Sequence, residues 1–149
     1  MRKSLFYICL LFAGLVLMTG CKSKKVQRAT FSDLYGEWQV VEIEGKAVTM
    51  EDKRPTLHLD VARLELTGFT GCNRLMGKIE HSEEYSNIIR FLNVATTRKA
   101  CVDANVEREF LEAVNKVVRF ESTTEIAPFT EIALFGADNA KLMVLKKQK

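Results

Sequence analysis

The chain predicts an α+β domain dominated by antiparallel sheet, with one helix packed on it. Three observations predict this class. Short runs of apolar residues alternate with polar ones at several places in the chain. A single stretch, from Asp103 to near Arg119, carries an apolar stripe at helical spacing. Glycines and polar clusters separate the runs, as turns between short strands require. Several strands and one helix must bury their apolar faces against each other, which gives a layered α+β arrangement.

The elements follow in order. Thr30 to Leu34 lead into Gly36-Glu37-Trp38-Gln39-Val40-Val41-Glu42-Ile43, whose β-branched and aromatic residues favour a strand. Val40 and Val41 break its alternation, so a bulge is expected there. Gly45 ends the strand, and a polar stretch runs from Met50 to Pro55. Leu57 and Leu59 alternate with His58 and Asp60, and Leu64 and Leu66 alternate with Glu65 and Thr67. These two runs flank the Asp60-to-Arg63 connection and read as a hairpin. His58 then faces away from the leucines, as a solvated strand histidine. Gly68, Gly71 and Gly77 suit bends or close backbone packing. Glu80 to Ser86 reads as a polar loop. Asn87 to Leu92 reads as a strand with Ile89 and Phe91 on one face, extended by Val94 to Arg98. The helix starts at Asp103 as N-cap, with Glu107 and Glu109 in its early turns. Val106, Phe110, Val114 and Val117 form its stripe, widened by Leu111 and Val118, and this stripe is core contact. Ile132 and Leu134 alternate with Glu131 and Ala133. Gly136-Ala137-Asp138-Asn139 is a turn, and Leu142 to Leu145 makes the last strand.

Ahead of the domain, Arg2 and Lys3 precede an apolar run from Leu5 to Met18. Its 14 residues fall short of the about 20 that a membrane-spanning helix needs. A basic start, a short apolar run and small residues behind it read as a secretory signal over residues 1–20. Leu17-Met18-Thr19-Gly20-Cys21 resembles the lipobox of bacterial lipoproteins, with Met18 where Leu is usual. That resemblance implies cleavage before Cys21, lipidation of its sulfur and a lipid anchor in the membrane. Residues 21–29 then form a basic tether, and residues 30–149 the domain. The tether lacks the acidic run that marks surface export in some lipoproteins. The expected location is therefore the bacterial envelope, facing the periplasm from the inner or outer membrane.

The charge divides accordingly. The whole chain carries 22 Lys+Arg against 19 Asp+Glu, a net +3. Arg2 and Lys3 belong to the leader, and Lys22, Lys24, Lys25 and Arg28 to the tether. Residues 29–149 keep 16 basic against 19 acidic residues, so the domain itself is at −3. A nucleic-acid partner is not expected: the basic excess lies outside the domain, and no stacking motif accompanies it.

Of four cysteines, Cys9 lies in the leader and Cys21 is assigned to lipid. Cys72 and Cys101 remain, an even pair in an exported domain, which points to a structural disulfide. The alternative is a redox-active pair, although catalytic dithiols usually stand two residues apart. Zinc is poorly supported, because only His58 and His81 stand ready to join the thiols and neither has a compact ligand spacing.

Several motifs resemble the META domain of the HslJ family. Leu34-Tyr35-Gly36-Glu37-Trp38 matches its opening Leu-x-Gly-x-Trp. Gly71-Cys72-Asn73-Arg74, with Gly77 behind, matches its central Gly-Cys-Asn motif. Thr96 to Cys101 matches its Thr-x-x-x-Ala-Cys element, with Lys99 where many relatives carry Met. Glu107 and Phe110 match its helix signature. The resemblance covers about residues 30–147. It implies a small, twisted, barrel-like antiparallel sheet with one packed helix. It also implies an envelope protein, often a lipoprotein, linked with heat or envelope stress and in some lineages with secretion or motility, and with no firmly attached reaction.

Candidate contact residues are few. Asn73 and Arg74 follow Cys72, and Arg98 with Lys99 gives a basic patch near Cys101. They suit an anionic partner group if the two motifs meet. For Asn73 the favoured reading is a turn cap, through side-chain bonds to the backbone, with partner contact as its alternative. No nucleophile elbow, phosphate-binding glycine loop or metal signature is present in the sequence. No catalytic residue, cofactor or metal is therefore assigned. The expected role is a monomeric, non-enzymatic accessory lipoprotein that binds an envelope protein. The alternatives are a carrier of an apolar ligand in the barrel and a thiol–disulfide protein using Cys72 and Cys101.

Overall fold

The computed structural model describes residues 27–49, 53–101 and 105–148. The expected signal segment, the expected lipidation site Cys21 and the expected Asp103 cap lie outside them. A short 3-10 turn, Phe31–Leu34, precedes β1 (Gly36–Ile43) and β2 (Lys46–Ala47). β3 (Thr56–Asp60), β4 (Glu65–Phe69), β5 (Arg74–His81) and β6 (Ile89–Thr96) follow. Then come α1 (Asn105–Lys116), β7 (Arg119–Ser122), β8 (Glu131–Phe135) and β9 (Lys141–Lys147).

The strands form one sheet in the order β6-β5-β4-β3-β1-β9-β8-β7, with β2 added to β1. Every pairing is antiparallel. The sheet curls into a half-barrel until its two edge strands touch at one end. There Ile89 N–H donates to Val118 O (3.1 Å) and Phe120 N–H to Asn87 O (3.0 Å). The helix links these two edges in sequence and packs on the inside of the curl. Its Phe110, Ala113 and Val114 are fully buried. Trp38 from β1 and Phe120 from β7 complete the largest part of the core, both with no exposed surface. This is the α+β, barrel-like sheet with one packed helix that the sequence predicts.

Local details follow from residue type. The bulge in β1 is present: Val40 pairs with Leu145, while Glu42 already pairs with Val144. Val41 is the extra residue, and it lets Ile43 return to the interior beside Trp38 and Val40. The β3–β4 hairpin pairs Leu59 with Leu66 and Asp60 with Glu65. Leu64, however, belongs to the turn and not to the strand. It is exposed and has φ 54°. Asp60 organises this turn, its Oδ1 accepting from Ala62 N–H (3.2 Å) and Arg63 N–H (3.0 Å). The Arg63 backbone bond, helped by the Arg63 guanidinium, holds the Asp60 carboxyl below the usual aspartate range.

Three expectations need correction. The glycines from Gly68 to Gly77 predict only bends, yet β5 is a full strand. Leu75 and Ile79 point inward, and Gly77 holds the inward position between them. A Cβ there would lie 3.1 Å from Leu92 O and 3.4 Å from Val94 Cγ2, so a side chain in this slot would press on β6 and glycine fits without that strain. An alternation with a missing member does not read as one. Glu80 and His81 consequently end β5 rather than opening a loop. Finally, the helix stops at Lys116, and Arg119–Ser122 is a strand with Phe120 buried. Val117 and Val118 are β-branched and favour this switch.

Candidate functional site

The sequence motifs converge on one place, where the turn before β5, the chain after β6 and the start of α1 meet. Thr70 and Gly71 set the turn. Gly71 has φ 98°, and a Cβ there would lie 2.7 Å from Lys53 O, so only glycine fits. Thr70 Oγ1 accepts from Asn73 N–H at 2.8 Å and donates to Glu107 Oε1 at 2.5 Å. The turn is thus capped by Thr70. Asn73 does not cap its own turn; its side chain crosses to the chain beyond β6.

Asn73 is buried and uses both ends of its amide. Its Oδ1 accepts from Thr97 Oγ1 (2.9 Å) and Lys99 N–H (2.8 Å). Its Nδ2 donates to Lys99 O (3.3 Å) and to Glu107 Oε1 (3.0 Å). An amide that both donates and accepts is what a buried junction of three segments needs. Cys72 and Cys101 stand beside it at disulfide distance, with Cα atoms 6.2 Å apart. The covalent link and the amide therefore fasten the same two segments.

Glu107, which the sequence marks as an early-turn acid and part of the helix signature, is also a member of the junction. Its carboxylate gathers Thr70 and Asn73 and lies 3.9 Å from Cys101 Sγ. Sequence spacing offered a signal. Glu107 precedes Phe110 by three and Leu111 by four, so it lies on the inward stripe of the helix. A carboxylate on that stripe needs donors. Cys72, Cys101 and Glu107 also form a group whose ligand atoms all lie within 4.8 Å of one another. While the sulfurs are joined to each other, they offer no thiolate to a metal.

The cationic candidates behave differently. Arg74 stands opposite Thr97, its N–H donating to Thr97 Oγ1 (3.1 Å) and its O accepting from Thr97 N–H (3.1 Å). Arg98 and Lys99 follow in the chain. All three side chains are exposed, and none forms an ion pair among the described residues. A groove of about 440 Å³ opens between the end of β6 and α1, lined by Asn73, Thr97, Arg98, Glu107 and Arg108 among others. His58 lies 2.9 Å from Glu37 Oε1, in a second groove over the sheet that it shares with Arg74.

The opening motif is built by packing. Leu34 and Trp38 are buried, and Trp38 Nε1 donates to Leu34 O at 2.7 Å. Lys147 Nζ lies 5.1 Å from the Trp38 ring centre and donates to Asp33 O at 3.2 Å.

Both motifs thus have a defined place in the structure. The family model for the META domain matches residues 31–149. The chain belongs to the META domain family. No curated protein matches it. Two solved structures share its fold. The NMR structure of a protein from Burkholderia xenovorans is 21% identical, with a TM-score of 0.60, over 80% of this chain and 86% of that one. The crystal structure of a DUF4847 family protein from Bacteroides vulgatus is 12% identical, with a TM-score of 0.55, over 78% of this chain and 94% of that one. These identities carry the META fold of this chain and nothing about its activity.

Proposed function

We propose that this META-domain protein is a lipid-anchored accessory protein of the bacterial envelope, held by Cys21 and facing the periplasm. Its domain binds an envelope protein through a basic rim and performs no reaction of its own. One observation carries this reading. The polar side chains of the motifs divide into two groups. Asn73, Thr97 and Glu107 are occupied by bonds within the fold, while Arg74, Arg98 and Lys99 are exposed without ion pairs among the described residues. Exposed guanidinium and ammonium groups on a rigid clamp suit carboxylates of a partner. Among the described residues no helix is long and apolar enough to cross a membrane. Anchoring through a lipid is compatible with that.

Two measurements test the reading. Cys21→Ala moves the protein from the membrane fraction to the soluble periplasm; an unchanged membrane fraction removes the anchor. Crosslinking in intact cells recovers a reproducible partner, and R98E/K99E loses it while keeping the fold. A partner recovered equally by that variant places the contact elsewhere, and no partner at all refutes the binding role.

A further inference from the structure

The carboxylate beside the disulfide has a geometry that its structural role does not require. Glu107 Oε1 is held by two donors, Thr70 Oγ1 at 2.5 Å and Asn73 Nδ2 at 3.0 Å. Its other oxygen, Oε2, faces Cys101 Sγ at 3.9 Å and, among the described residues, otherwise has a 3.2 Å contact with Asn73 Nδ2. One oxygen fixed by hydrogen bonds and the other turned toward sulfur is the way an oriented carboxylate ligand is held.

We propose that, once the Cys72–Cys101 bond is reduced, Cys72, Cys101 and Glu107 bind a thiophilic divalent cation of the Zn²⁺ type. Zinc takes sulfur at about 2.3 Å and carboxylate oxygen at about 2.0–2.2 Å. One ion therefore reaches across the 3.9 Å between Cys101 Sγ and Glu107 Oε2. In a tetrahedral site the two sulfurs part to about 3.8 Å, from those same bond lengths. Cα atoms 6.2 Å apart permit this through rotation of the two side chains. Glu107 lines the groove together with Thr97, Arg98 and Arg108, and a water from that groove would supply the fourth ligand. Two thiolates and a carboxylate leave the loaded site at −1, and the Arg98 and Arg108 side chains lining the groove offset it. Soft thiolates select zinc-like ions over magnesium or calcium. The disulfide and the metal thus become alternative ways to fasten the same two segments.

The chemistry balances as follows. A phosphine reductant gives two electrons to the disulfide and leaves as its oxide, taking oxygen from water. The two water protons go to the sulfurs. Metal binding then forms two metal–sulfur bonds and releases those two protons.

The experiment uses the full chain in detergent with C9A and C21A, so that Cys72 and Cys101 are its only cysteines. The protein is reduced with a phosphine without oxygen and titrated with Co²⁺ as the probe. Expected are a thiolate-to-cobalt charge-transfer band and tetrahedral d–d bands that saturate at one equivalent. Zn²⁺ bleaches them, and about two protons are released per ion. The oxidised protein shows none of this. Glu107→Gln keeps two titratable thiols and binds about tenfold more weakly or worse, as loss of a ligand demands. Glu107→Asp, which keeps the charge but shortens the reach, weakens binding as well. Circular dichroism checks the fold of each oxidised variant. Two free thiols without the cobalt bands overturn the site. So does unchanged affinity in both Glu107 variants. A reduced chain that unfolds and does not refold with Co²⁺ overturns it too.

Discussion

The segment from Leu34 to Trp38 and the segment from Thr70 to Asn73 each fasten a turn to the start of a strand, with different chemistry. The first relies on apolar burial. Trp38 has no exposed surface, and one hydrogen bond to Leu34 O satisfies its indole N–H. The second relies on polar and covalent bonds, through Asn73, Thr70, Glu107 and the Cys72–Cys101 pair. Position explains the difference. Trp38 sits on β1, in the middle of the sheet, with β3 on one side and β9 on the other. The Asn73 junction sits near the end of β6, an edge strand of the sheet. Where a core exists, burial suffices. Where the sheet runs out, specific bonds replace it.

The largest effect is expected in the packed region. Trp38→Ala removes a wholly buried indole and should cost about 3–5 kcal/mol, enough to remove a large share of the stability of an ordinary domain. Urea unfolding followed by circular dichroism measures it. A loss near that of an exposed substitution would mean that the centre of the sheet does not depend on this ring.

The bonded region should respond next. Cys72→Ser and Cys101→Ser each open the same loop of 29 residues in sequence separation. On chain-entropy grounds each should cost roughly 3–4 kcal/mol. The same unfolding experiment on both variants, with the reduced parent as reference, checks it. The two losses should match each other and that of the reduced parent. Strongly unequal losses would argue against the pairing. A loss larger than that of Trp38→Ala would reverse the ranking of burial over bonding.

The same contrast explains what the sequence makes legible. Apolar alternation reveals β1, its Val40–Val41 bulge, the β3–β4 hairpin, the strand at Ile89 and Phe91, and the stripe of α1. Each is written in side chains that face the core. β5 is not legible in this way, because its central inward residue is Gly77 and contributes no side chain. Leu64 misleads for the opposite reason: it is apolar and in phase, yet the turn that Asp60 organises lifts it into solvent. The pairing of Cys72 with Cys101 follows from cysteine arithmetic. The hub at Glu107 does not, since its donors Thr70 and Asn73 stand 37 and 34 positions away, in the turn before β5. Long-range polar partners leave no periodic trace, and only the folded chain brings them together.

The smallest expected effect bears on whether the amide and the disulfide act as one device. Asn73→Ala removes the acceptor of Lys99 N–H and of the Thr97 hydroxyl and one of the two donors to the Glu107 carboxylate, which keeps Thr70. A buried polar group left unsatisfied costs about 1–3 kcal/mol. Thr97 and Lys99 are exposed, so water replaces part of what is lost and the low end of that range is expected. Asn73 and the disulfide hold the same two segments, so their losses should not add. In the Cys72→Ser background those segments are already free to separate, and Asn73→Ala should cost measurably less than in the parent. Unfolding of the two single variants and the double variant gives the coupling directly. Additivity within about 0.5 kcal/mol would mean that the amide and the disulfide act independently, and the edge of the sheet would then have two separate fasteners in place of one clamp.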